Sequence, residues 1–175
     1  EQGTFRLAKP DGSDDFIVPD AIISKEGKRV SEREENDGSR DLRITNDNLK
    51  QYKDIIKRVS LKDAYPVGWL FSQLVAESKL SEEQAKENPQ ASSIAQITEK
   101  TFNDIKNAGE SGGSAKEKEY IKNYFDVDKY TFEDIKNNPE LSIEFMAAKM
   151  RAFMDRNSMN LENALANYNW NGRDL

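Results

Sequence analysis

The chain contains neither cysteine nor histidine. Without cysteine no disulfide can staple the fold. Without histidine, Ser–His and Cys–His catalysis are excluded, and so is the commonest zinc ligand. Acid–base chemistry near neutral pH then falls to a perturbed Glu, Asp, Lys or Tyr. Long apolar runs are missing as well: none approaches the ~20 residues that span a bilayer. A basic excess is also missing. The formal net charge is -6 over 175 residues, which argues against the basic face that non-specific nucleic-acid binding needs. It leaves neutral, sugar-like ligands open. No calcium loop fits either. With Gly38 at the sixth position the first falls on Arg33, and the stretch around Asp126 and Asp128 lacks the required glycine. The expectation is a chain with no metal, no cofactor, no nucleic-acid partner and no membrane insertion.

Apolar residues make up 36% and charged residues 33%. Such a balance suits one compact domain with a small core, a heavily charged surface and room for an arm. Residues 1–45 read as that N-terminal arm. Short runs such as TFRLAKP and DFIVPDAIIS are separated by Asp-Gly and Pro signals, and a charged stretch, GKRVSEREENDGSRD, follows. One or two short strands and a solvated loop are expected there, with a partly disordered linker as the alternative. The opening residues EQGTFRLAKP lack Met and an apolar signal core, so the expectation is a mature fragment or a module cut from a longer chain.

Residues 46–175 read as mostly helical. Leu49, Tyr52, Ile55, Ile56 and Val59 recur at three- and four-residue steps. Pro66 opens the next helix. Ser81 to Gln84 has the form of a capping box, and Pro89 stops the short helix it starts. A helix is expected from Thr98 to about Asn107 and, after a flexible break at 109–114, another from Lys116 to Phe125. Thr131 and Asp134 form a Thr-x-x-Asp cap. Ile143, Met146, Met150 and Phe153, with Ala147 and Met154 beside them, mark a central core helix in which the methionines pack. A short helix running into an aromatic, Asn-rich loop closes the chain. The fold class expected is mostly α, with a small β element.

One residue stands out against this pattern. Val67, Leu70, Phe71 and Leu74 form the apolar stripe of the second helix, and three further residues lead to Glu77. Such a step keeps a carboxylate on or beside the core-facing side. Loss of hydration there is expected to raise its pKa and to keep its proton near neutral pH. A protonated carboxyl in a semi-apolar cleft is what cleavage of a glycosidic bond requires. The plain alternative is a helix that ends at Glu77 and turns the side chain to water.

Four short motifs follow one another: Glu77-Ser78, Asn88-Pro89, Ser93-Ile94-Ala95-Gln96 and Asn167-Tyr168-Asn169. In order and approximate spacing the chain resembles the lysozyme-like lytic transglycosylases, of the soluble lytic transglycosylase and goose-type lysozyme superfamily, which cut bacterial peptidoglycan. The resemblance covers about residues 60 to 172 and leaves the arm unexplained. It departs from the family pattern at Ser93, where glycine is usual, at Asn167, where alanine is usual, and in a Tyr168–Gly172 stretch one residue longer than usual.

The resemblance implies a lysozyme-like α+β fold and a metal-independent enzyme. Its single carboxylate, Glu77, acts first as acid on the MurNAc–GlcNAc linkage and then as base on the muramoyl C6 hydroxyl, leaving a 1,6-anhydro product. It implies substrate-binding roles for Ser78, Gln96, Tyr168 and Asn169, each with a packing or turn role as its rival. The implied partners are peptidoglycan glycan strands, at the periplasm or cell envelope. A phage virion is the other expected setting, in which the arm would join the domain to a larger assembly. Three alternatives stand beside this reading. The domain could be a lysozyme-like structural or wall-binding part of a phage tail or injection apparatus. It could be a hydrolytic muramidase, with Asp104, Asp126 or Asp128 as second carboxylate. It could also be an acidic helical adaptor, which accounts for the charge but not for the motifs.

Overall fold

The computed structural model describes residues 23–24, 44–91, 93–109 and 113–157. These residues are mostly helical. Two strands of two residues each, β1 (Ile23–Ser24) and β2 (Ile44–Thr45), pair in parallel, with Ile23 opposite Ile44. Thr45 then caps helix α1 (Asn46–Asp63) by accepting a 3.1 Å bond from the Asn48 amide. Along α1 the buried positions are Tyr52, Ile56, Val59, Ser60 and Asp63. Leu49 and Ile55 pack beside them at the core's edge.

Helix α1 ends on Ala64, whose left-handed φ of 49° turns the chain. Tyr65 donates its amide back to the Ser60 carbonyl, and the Ser60 hydroxyl donates to the Tyr65 carbonyl. Pro66 then caps helix α2 (Val67–Ser78). A four-residue helix, α3 (Glu82–Ala85), is capped by the Ser81 hydroxyl, which accepts from the Gln84 amide. It ends at Ala85, before Pro89 could stop it. Helix α4 (Glu99–Lys106) follows with Thr98 as cap. Helix α5 spans Gly113–Ile121 and so starts three residues before the expected Lys116; residues 110–112 of the break expected at 109–114 lie outside the described part. Helix α5 also stops four residues before the expected Phe125. The amides of Tyr124 and Phe125 fold back onto the Ile121 carbonyl, which seats Phe125 in the core by a turn.

After a 3₁₀ turn (Val127–Lys129), the capping box at Thr131 and Asp134 opens α6 (Phe132–Asn137). Asn138 then accepts from the amides of Glu140 and Leu141, starting α7 (Pro139–Asn157). Helix α7 is apolar around much of its girth and packs against α5, α1 and α6, as a central helix should. Phe145 sits fully buried at its middle, edge-on to Phe102 at 5.3 Å and to Phe125 at 5.4 Å. Edge-to-face geometry suits the ring quadrupoles. On its other side α1 is bridged to α7 by Lys62–Glu144 at 2.9 Å and by Arg58–Glu140.

Candidate functional site at the end of helix α2

Helix α2 buries Val67, Leu70, Phe71, Leu74, Val75 and Ser78. The stripe therefore runs 3-1-3-1-3, and its last position is Ser78. Glu77 stands one step off that face and is exposed. The expectation of a core-facing Glu77 is corrected accordingly: a step of three from Leu74 leaves the stripe, and a step of four stays on it. Burial is thus not what would prepare Glu77 as an acid.

Ser78 is 2% exposed, and its hydroxyl donates to the Ile94 carbonyl at 2.7 Å. A serine has one hydroxyl hydrogen to give. Ser78 thus ties the helix end to the Ser93–Gln96 segment and is not placed to greet a ligand. The segment itself is pinned on three further sides. The Ala95 amide donates to the Ser142 hydroxyl of α7 at 3.2 Å. The Gln96 side-chain amide donates to the carbonyls of Ala85 and Ser93, each at 3.0 Å. At the base, Ala91 bridges Thr98, and the Glu99 amide reaches the Gln90 carbonyl. Both Nε2 hydrogens of Gln96 thus go to backbone, so the donor half of its expected sugar contact is already used.

Backbone strain gathers here too. Among the described residues four non-glycines have positive φ: Ala64, Lys79, Leu80 and Gln96. Three of the four, Lys79, Leu80 and Gln96, lie between the end of α2 and the start of α4, and such residues persist where the surrounding structure over-determines them. From α1, Tyr52 donates its hydroxyl to Glu82 at 2.7 Å and so anchors α3. Burial, with the Glu82 carboxylate beside it, raises the Tyr52 phenol above its usual range. Asn88 and Pro89 form an exposed turn, in which Asn88 accepts from Gln90.

The sequence motifs Glu77-Ser78 and Ser93–Gln96 are therefore neighbours in space. Tyr168 and Asn169 lie outside the described residues. Of the carboxylates considered as a second acid, Asp104 pairs with Lys100. Asp128 is held by Lys118 and Lys122, each at 2.7 Å. Their hydrogen bonds bring the Asp128 carboxyl down to about 2. A group so engaged is poorly suited to attack or activate anything.

Sequence reasoning missed Ser142 and read Tyr52 only as part of an apolar stripe; the partners of both lie far along the chain and leave no local mark. It also missed the carboxylate that does lie on an apolar stripe. Four residues beyond Val59 is Asp63, which is 1% exposed, and neither of its oxygens has a hydrogen-bond partner among the described residues. Desolvation raises its carboxyl to about 6; Lys62 opposes the rise and Glu144 adds to it. Stepping along α1 by three and four from Ile56 would have found it.

Compared with known proteins, the chain matches no family model, no curated protein and no solved structure.

Proposed function

We propose that this chain is a peptidoglycan lytic transglycosylase with Glu77 as its single general acid and base. The observation that carries the reading is the 2.7 Å bond from Ser78 to the Ile94 carbonyl. It joins two of the four motifs on which the family resemblance rests, although the bonded residues lie 16 positions apart in the chain. Glu77 sits at the seam, on a helix end fixed by its neighbour Ser78. In the resting protein Glu77 is exposed. The desolvation that favours its protonated form is therefore supplied by the glycan itself, as the sugars cover the carboxyl.

Glu77 gives its proton to the glycosidic oxygen between N-acetylmuramic acid and N-acetylglucosamine, and the C1–O bond breaks. The substrate's N-acetyl group shares the positive charge at C1, so a second protein carboxylate is not needed. The Glu77 carboxylate then takes the proton of the muramoyl C6 hydroxyl, and that oxygen closes onto C1. Atoms balance with no water consumed, and the product carries a 1,6-anhydro ring. Ser78 and Gln96 act as positioning residues by holding the wall beside Glu77.

The test is digestion of purified sacculi followed by weighing of the released muropeptides. Anhydro products are expected, with Glu77→Gln lowering their release by at least ~10²-fold, the usual range for losing a general acid or base. Reducing-end products would identify a hydrolytic muramidase instead. A second reading, favoured by the exposure of Glu77 in the resting fold, is a lysozyme-like wall-binding or structural module of a virion or envelope assembly. It predicts co-sedimentation with sacculi and no released product from the parent chain or the variant.

A further inference from the structure

Asp63 is the last residue of α1, at a corner where three helices meet. Both of its oxygens are buried and lack a hydrogen-bond donor among the described residues. The end of a helix presents carbonyl oxygens, and its dipole is unfavourable to a negative charge. The neighbouring cation on α1 is Lys62, whose ammonium is engaged at 2.9 Å with Glu144 of α7. Among the described residues, the charged groups acting on Asp63 are Lys62 on its own helix and Glu144 across the interface. The facing part of α2, Val67–Ala76, has no ionisable side chain, and neither has β2. Tyr65, two residues on, gives its hydroxyl to Gln73 of α2 at 3.1 Å.

We infer that Asp63 is a pH-responsive latch at the α1–α2 corner, closed when its carboxyl is neutral and loosened when the carboxyl ionises. Neutral, the side chain is a small polar group within packed helices. Ionised, it is a buried charge with no hydrogen-bond donor among the described residues, and the corner accommodates it by opening to water. The corner sets the direction in which α2 leaves α1, and α2 carries Glu77 at its far end. The inference does not depend on what Glu77 does.

The direction of the pH effect follows from proton linkage. An unfolded Asp titrates near 3.8 and the folded one near 6. Across that interval the folded chain holds the extra proton, so stability falls as pH rises and levels off above the folded value. The experiment is thermal unfolding of the full chain and of Asp63→Asn from pH 4 to pH 8. The parent should lose several degrees relative to the variant between about pH 4 and 6, and the gap should then stay level. A gap that does not change with pH overturns the inference. Should the variant not fold, the parent alone is decisive. Its Ala64 and Tyr65 amide NMR shifts should titrate with a midpoint near 6, and a midpoint near 3.8, or no titration, overturns the inference equally.

Discussion

The neighbourhood of Phe145 and the buried residues between Ser78 and Thr98 are held by opposite means. Around Phe145 the contacts are apolar: the rings of Phe102 and Phe125 meet it edge-on, and Ile143, Met146 and Ala148 belong to the same buried cluster. The Ser78–Thr98 segment has Leu80, Ile94, Ala95 and Ile97 inside, but its course is set by single hydrogen bonds and left-handed residues. Dispersion and burial are forgiving sums over many contacts. A buried carbonyl with one donor is not, because removing that donor leaves it unpaired. The first region should fail globally and the second locally.

Phe145→Ala is the largest test of that contrast. Deleting a fully buried aromatic ring costs about 3–5 kcal/mol, and here the edge contacts to Phe102 and Phe125 go with it. Urea unfolding should show a lower midpoint with an unchanged slope. A loss below ~1 kcal/mol would mean that the cluster around α7 is not the organising core.

Ser78→Ala should be smaller, at about 1–3 kcal/mol, because the Ile94 carbonyl is left buried without its donor. Its distinctive mark is where the loss falls. Amide exchange should quicken through residues 93–98 while the α7 amides keep their protection. Equal loss of protection in both places would erase the distinction between the two regions.

Those two regions also differ in how far the sequence announces them. Helices α1, α4, α6 and α7 follow from periodic apolar residues and from Thr45, Thr98, Thr131 and Asn138, whose side chains satisfy nearby amides. Such signals are local, so they can be read without partners. The end of α5 could not be read in this way. Phe125 is as apolar as a helical residue would be, but a turn at Ile121 delivers it to the core. At the candidate site the motifs Glu77-Ser78 and Ser93–Gln96 were legible, but their nearness was not. The bonds that make them neighbours, Ser78 to Ile94 and Ala95 to Ser142, join residues 16 and 47 positions apart, and no local pattern marks either. The misplacement of Glu77 came from a single residue of phase. With 3.6 residues per turn, Leu74 is followed on one face by either 77 or 78, and the burial of Val75 decides for 78.

The smallest prediction turns on the two consecutive left-handed residues that end α2. Lys79 has φ 52° and ψ 28° and bonds its amide to the Val75 carbonyl. A left-handed backbone costs an L-residue about 1–2 kcal/mol. Glycine removes that cost but loses about 0.4–1 kcal/mol through its freer unfolded chain. Lys79→Gly should therefore stabilise by roughly 0.5 kcal/mol, provided that the Lys79 side chain contributes little. Leu80 has nearly the same φ, 56°, but its side chain is wholly buried. The same exchange there removes a core leucine and should destabilise, so the two variants should move the unfolding midpoint in opposite directions. If Lys79→Gly also destabilises, the lysine is itself part of the packing at this corner. The Ser78–Thr98 segment would then rest on side-chain contacts as the Phe145 region does, and the difference between the two regions would be one of degree.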